Sequence, residues 1–351
     1  MRKILNSYLT IWLVMKILVD VSEDLFNRIN EVKKSYSLQN FILVAVENQI
    51  AIEKEQDIDF KVSNKTADRS PKIFEEKSSD IKKAKEQITP IEILNNPLNF
   101  DKINPVSLKN PIKNIYIWGQ YNKFFTLKFA LRHLAFMQIK NNSAPVKLLD
   151  FQNKCAKEAS KMKAILNESD EKANRKWGST FSAGLPEDNE KSHSRFIHHF
   201  IGYADSQGNS VGALSDLGFV VIKNNEIALS PFGLQFVKLK NPIIDENPLS
   251  GSLFSQEERQ FLIDHIKSNI PTEWQGMKTV IQWIESGLNT PDSLNKKMAT
   301  LDPKWTEKMA NTYRTGMLAR MLDLGFISRK KIGVNANYVV TDFGKSVVVI
   351  T

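Results

Sequence analysis

Three of the five histidines, His193, His198 and His199, fall within seven residues of one another and form the densest set of potential metal ligands or proton carriers in the chain. His193 and His198 come near one another on a helix, but no HExxH pattern occurs and no cysteine is near, so the spacings that build zinc sites are missing. These are read as histidines on a polar face. Gly344-Lys345-Ser346 mimics the end of a phosphate-binding loop, but the glycine required five residues earlier is replaced by Val339. Asp57, Asp59 and Lys61 mimic part of a nuclease motif, in a charged stretch without a supporting hydrophobic strand. None of these sets completes a nucleophile, base and stabiliser arrangement. The chain is expected to be non-enzymatic, with no cofactor and no metal.

A second group of residues has the chemistry of nucleic-acid recognition. Lys308, Asn311, Thr312, Arg314 and Thr315 share one predicted helix, Trp305 to Leu324. Asparagine can read adenine and arginine guanine in the major groove. Arg329, Lys330 and Lys331 follow in a predicted hairpin and suit phosphate contacts. From Lys296 to Thr351 there are ten basic and four acidic residues, a net of +6. The whole chain carries a net charge of +9, with an isoelectric point near 9.3. Such a surplus favours polyanionic partners, most often nucleic acid.

The elements that would position these groups fall into zones. Residues 1–54 contain a patterned unit. Residues 55–95 are polar, with acids and bases nearly balanced, and bury too little apolar surface to offset ordering entropy, so a flexible charged linker is expected. Apolar periodicity returns near residue 96, giving a domain over 96–245 and another over 246–351. The single cysteine, Cys155, excludes an internal disulfide framework and fits a reducing cytoplasm. Met1 to Val21 is partly apolar, but Asn6, Ser7 and Lys16 interrupt it and no small-residue cleavage site follows, so no secretory signal is expected. No other stretch approaches the ~20 apolar residues of a membrane span.

The strongest pattern is an internal repeat. Asp216 to Phe219 and Asp323 to Phe326 both read Asp-Leu-Gly-Phe. Each is followed by a strand, a polar turn, a second strand and then Phe-Gly, at Phe232-Gly233 and Phe343-Gly344. Gly218 and Gly325 would end a helix in the left-handed conformation. Asn224-Asn225 makes a tight turn, and Ser230 and Thr341 cap a final helix. Upstream helices are expected at Thr126–Met137, Val146–Lys172 and His193–Tyr203 in the first copy. In the second they are expected at Ser255–Ile270, Met277–Ser286 and Trp305–Leu324.

This pattern resembles the winged helix-turn-helix proteins over most of residues 111–351. The resemblance implies that the helix before the second hairpin enters the major groove and that the hairpin lies on backbone or minor groove. The first copy, with a short hairpin tipped only by Lys223, is expected to contact DNA weakly or to act as a scaffold.

At the N-terminus, Ile17, Val19 and Val21 alternate with Lys16, Leu18 and Asp20, a strand period. Helices capped by Ser22 and Ser37 follow. A unit of about 40 residues cannot close its own core, and its lone strand needs a partner. The stretch resembles the ribbon-helix-helix family. The resemblance implies a homodimer paired through the strand, with Lys16 and Asn40 as candidate DNA contacts. Asp20 departs from the usual basic triplet. Strands of that family sit near the N-terminus, which favours Met15 as the start.

The resulting expectation is a mainly α fold with small β-wings (α+β), made of tandem winged helix domains plus an N-terminal ribbon-helix-helix-like unit. Its expected partner is double-stranded DNA, with no membrane association. A prokaryotic transcriptional regulator or DNA-organising protein fits best. A DNA-recognition component of a restriction or mobile-element system, and a protein-binding adaptor, stay open.

Overall fold

The computed structural model describes residues 91–95, 98–175, 179–205, 209–247, 251–332 and 335–349, all within one compact unit. The expected N-terminal unit, with Lys16 and Asn40, lies outside the described residues, as does most of the expected linker. The linker's last residues are not loose, because Ile91 is buried just before the short helix α1 (Glu92–Asn95) and Ile93 is buried within it.

The described residues are mainly helical, with three small antiparallel sheets. No helix among them is long and apolar enough to cross a membrane. At the centre stands α2 (Phe124–Lys140), which is buried along most of its length, its polar residues Thr126, Lys128, Arg132, His133 and Gln138 included. Strand β1 (Val146–Lys147) and the long α3 (Leu148–Lys172) follow, and then α4 (Glu190–Phe196), which continues as a π-turn to Ile201. A small hairpin, β2 (Tyr203–Ala204) and β3 (Ser210–Val211), precedes the four-residue α5 (Ala213–Asp216).

The first repeat's hairpin is β4 (Val220–Lys223) and β5 (Glu226–Leu229). Its two turn residues, Asn224 and Asn225, have φ of 53° and 60°, the left-handed pair that a two-residue hairpin loop requires. Strand β1 adds to β5, giving the order β1-β5-β4 with Val146 opposite Ile227. Helix α6 (Pro231–Lys238) closes the repeat.

The second half contains α7 (Gln256–Asn269), α8 (Pro271–Glu285), α9 (Pro291–Met298) and α10 (Glu307–Leu324). The hairpin β6 (Ile327–Ile332) and β7 (Asn335–Val340) and then α11 (Asp342–Val349) complete it. Tyr338 N–H donates to Asn289 O at 2.8 Å. Asn289, between α8 and α9, therefore flanks β7 as β1 flanks β5.

Several boundaries differ from expectation. Val146 and Lys147 are a strand and not the start of a helix. The helix expected to run to Tyr203 opens into the π-turn and a hairpin. Helix α8 begins six residues before the expected Met277. Gly276 lies within it and lets Tyr116 and Met317 pack close, for a Cβ would sit 2.7 Å from the Tyr116 ring and 2.9 Å from Met317 Cε. Helix α9 was not expected at all, although Thr290 caps it through Ser293 N–H and Pro291 occupies its first turn.

The two halves are locked by charges buried across them. Lys128 and Glu258 pair at 2.8 Å with both side chains 0% exposed. Lys128 Nζ also donates to Phe236 O and Leu239 O. Burial, partly offset by Glu258, pulls its pKa down to about 8. Arg132 makes a two-pronged contact with Asp245, each prong 2.6 Å. Lys128 and Glu258 lie on either side of residue 245, where the sequence places a domain boundary, whereas Arg132 and Asp245 both belong to the first half.

Candidate nucleic-acid interface

The repeat is built the same way twice. Gly218 and Gly325 have φ of 70° and 80° and turn the chain out of α5 and α10. Ser230 N–H donates to Phe219 O at 2.9 Å, and Thr341 N–H to Phe326 O at 3.0 Å. The Ser230 hydroxyl donates to Gly218 O and accepts from Gly233 N–H; the Thr341 hydroxyl donates to Gly325 O and accepts from Gly344 N–H. A Cβ on Gly233 or Gly344 would lie 2.0 Å from Phe219 O or Phe326 O. The Phe-Gly pairs thus exist to let a helix press on the preceding turn. Gly344-Lys345-Ser346 is part of this packing.

Helix α10 carries five of the sequence-derived candidates. Thr306 caps it by accepting from Met309 N–H. At ~100° per residue, Lys308, Asn311, Thr312 and Thr315 fall within roughly one 100° stripe. Lys308, Asn311 and Thr315 are exposed, and Thr312 and Arg314 are half-buried. The opposite face buries Ala310, Met317, Met321 and Leu324. Both threonine hydroxyls donate back to their own helix, Thr312 to Lys308 O at 3.0 Å and Thr315 to Asn311 O at 2.9 Å. Arg314 Nη2 donates to Asn311 Oδ1 at 2.6 Å. This bond engages one of the two lone pairs of Asn311 Oδ1 and leaves the other, with the amide N–H groups, for a base.

In the hairpin, Lys330 is exposed, while Arg329 is half-buried, lies over the Tyr338 ring at 5.2 Å and donates to the Tyr338 hydroxyl at 2.7 Å. Arg329 is thus committed to its own sheet. Lys331 belongs to β6 opposite Ala336, and its side chain is outside the described residues.

Further cations surround α10. Lys296 and Lys297 are exposed in the last turn of α9, which packs on α10, and Lys304 is exposed before the α10 cap. Their signal was present in the local charge surplus, but it could not be placed without α9. Glu307 also stands exposed in the first turn of α10 and opposes the field of its neighbours.

One flank of α10 is covered by a strap, residues 113–121, that precedes the central helix. Gly119 and Gly316 meet backbone to backbone, for a Cβ on Gly316 would lie 2.2 Å from Gly119 O. Arg320 donates to Glu273 Oε1 at 2.7 Å and to the strap carbonyls of Ile117 and Tyr121 at 3.2 and 2.9 Å. Glu273 Oε2 accepts from Ile117 N–H at 3.0 Å. Tyr116 and Trp118 meet Tyr313 edge-on, and Trp305 stacks on Tyr313 with centroids 4.1 Å apart. Asp216 accepts from the Tyr121 hydroxyl, while Asp323 accepts from Phe124 N–H and from Lys123. The aspartates of the two repeats thus converge on one stretch of chain. No motif in the sequence announces this strap.

His198 stacks on Tyr203 and meets His199 edge-on, His193 faces Asp188 at 3.7 Å, and no metal-competent group of three ligands occurs among the described residues. Comparison with known protein families, curated proteins and solved structures finds no match.

Proposed function

We propose that residues 96–245 and 246–351 are tandem winged helix units and that the protein binds double-stranded DNA as a non-enzymatic regulator or organiser. The observation that carries the reading is the repeated order of a helix, a left-handed glycine, a two-stranded hairpin and a capped helix, α5-β4-β5-α6 in the first copy and α10-β6-β7-α11 in the second. The polar stripe of α10 supports it as the groove-reading surface, because Lys308, Asn311 and Thr315 are exposed, although the strap reaches the stripe's edge where Gly119 lies against Thr312. Lys296, Lys297, Lys304 and Lys330 supply positive charge around that stripe. In the first copy α5 is only four residues long, too short to lie along a groove, which supports a scaffolding role. An N-terminal ribbon-helix-helix-like unit would dimerise the chain and raise avidity by effective concentration, acting in the cytoplasm.

The test is binding to a random-sequence duplex, followed by fluorescence anisotropy across a salt series. A steep fall in affinity with salt is expected. Absence of binding at low salt refutes the DNA reading and leaves the protein-adaptor alternative.

A further inference from the structure

The central helix α2 buries three basic side chains in succession, and they are treated differently. Lys128 and Arg132 are surrounded by acceptors. His133, 2% exposed, has no partner at either ring nitrogen. Its ring is stacked with Phe151 and tilted against Phe136. Native proteins rarely leave buried polar atoms unpaired, and each such case calls for an explanation.

His133 lines a cleft of about 420 Å³, within the range of small-molecule sites, roughly 300–1,000 Å³. The buried part of the lining is otherwise apolar, with Phe136 and Val146, and Met137 and Pro145 continue it outward. The charged lining is Lys140, Lys147 and Lys154 against Asp150 and Glu226, a cationic excess. Burial pushes the His133 pKa down to about 4, and Lys154 and Lys140 push it the same way. The imidazole is therefore neutral and offers one donor and one acceptor, in a field that both lysines make positive.

We propose that this cleft binds a small, flat, apolar carboxylate such as an aromatic acid. Its body lies against Phe136 and Val146, a polar atom meets His133, and its carboxylate meets Lys140 and Lys154. Lys140 already sits 4.2 Å above the Phe136 ring, so the cation is in place at the edge of the apolar floor. The site lies where α2, β1, α3 and β5 meet, and it is independent of the DNA reading.

The experiment is calorimetric titration of the full chain with benzoate, salicylate and indole-3-acetate, each beside its neutral amide. At least one acid is expected to bind with Kd below about 1 mM, and its amide at least about tenfold more weakly. His133→Phe, which keeps the ring stack, should weaken binding at least about tenfold, with circular dichroism checking the fold. Lys140→Gln with Lys154→Gln, both at the surface, should do the same and decides the matter if the histidine variant does not fold. Failure of every acid to bind overturns the proposal, as does equal binding of acid and amide, or binding unchanged in both variants.

Discussion

Replacing Arg320 with methionine tests what holds the strap on α10. The guanidinium is 0% exposed and faces Glu273, also 0% exposed, with Nε and Nη2 both donating to Oε1 at 3.1 and 2.7 Å. It also donates to the carbonyls of Ile117, Trp118 and Tyr121. Methionine keeps much of the volume but strands a buried carboxylate, whose remaining partner is Ile117 N–H, and removes the donor to three carbonyls. Breaking one side of a buried pair costs about 3–5 kcal/mol, a large share of the ~5–15 kcal/mol that stabilises most domains. Arg320→Met with Glu273→Gln removes the orphaned charge and should recover about 2 kcal/mol or more, the asymmetry expected of buried pairs. Urea unfolding at pH 7 of the wild type, both single variants and the double variant gives the coupling directly. A loss below about 1 kcal/mol for Arg320→Met, or additive single variants, would refute the view that this pair anchors the strap.

Three further outcomes are expected. His133 is neutral when folded, with a pKa near 4, whereas the unfolded imidazole titrates near 6.5. Its contribution is therefore fully present above pH ~6.5 and lost as pH falls towards 4, amounting to about 2 kcal/mol between pH 7.5 and pH 5; urea unfolding of wild type and His133→Phe at the two pH values should show the variant losing less. Gly233→Ala and Gly344→Ala each force a Cβ against a backbone carbonyl and should cost roughly 1–3 kcal/mol by thermal unfolding, whereas Gly251→Ala, with nothing within 4 Å, should be near neutral. In the anisotropy assay Lys308→Ala should reduce the salt slope by about one for every duplex, whereas Asn311→Ala should change the preference between duplexes, and identical behaviour of the two variants would count against α10 as a reading helix.

The repeat was legible because its glycines are local necessities. Gly218 and Gly325 need a positive φ, and Ser230 and Thr341 cap the helices that follow, so short sequence fragments carry the information. The stripe of α10 was legible as residue type and helical spacing. Helix α9 was missed although Thr290-Pro291 and the Leu294/Met298 spacing were visible, because eight residues give too little periodicity to stand out. The cross-strand pairing of Arg329 with Tyr338 depends on a register the sequence leaves open. The strap could not be read at all. Its contacts with Arg320, Glu273 and Gly316 join residues about 150 to 200 positions apart, and no local pattern encodes them. Likewise, the lack of a partner for His133 becomes visible only once its neighbours are known.

The strap also sets an order of events during synthesis. Tyr121 leaves the ribosome 199 residues before Arg320, its hydrogen-bond partner. At ~5–20 residues per second, the interval is on the order of 10–40 s. Through that interval Tyr116 and Trp118 wait without Tyr313, and the N-terminus of α2 waits without Asp323. Contacts of such separation slow folding because the loop must close before they form. The nascent first half therefore carries an exposed aromatic segment until the last helices emerge, which makes it the natural holding point for a chaperone and the place where a truncated chain would aggregate.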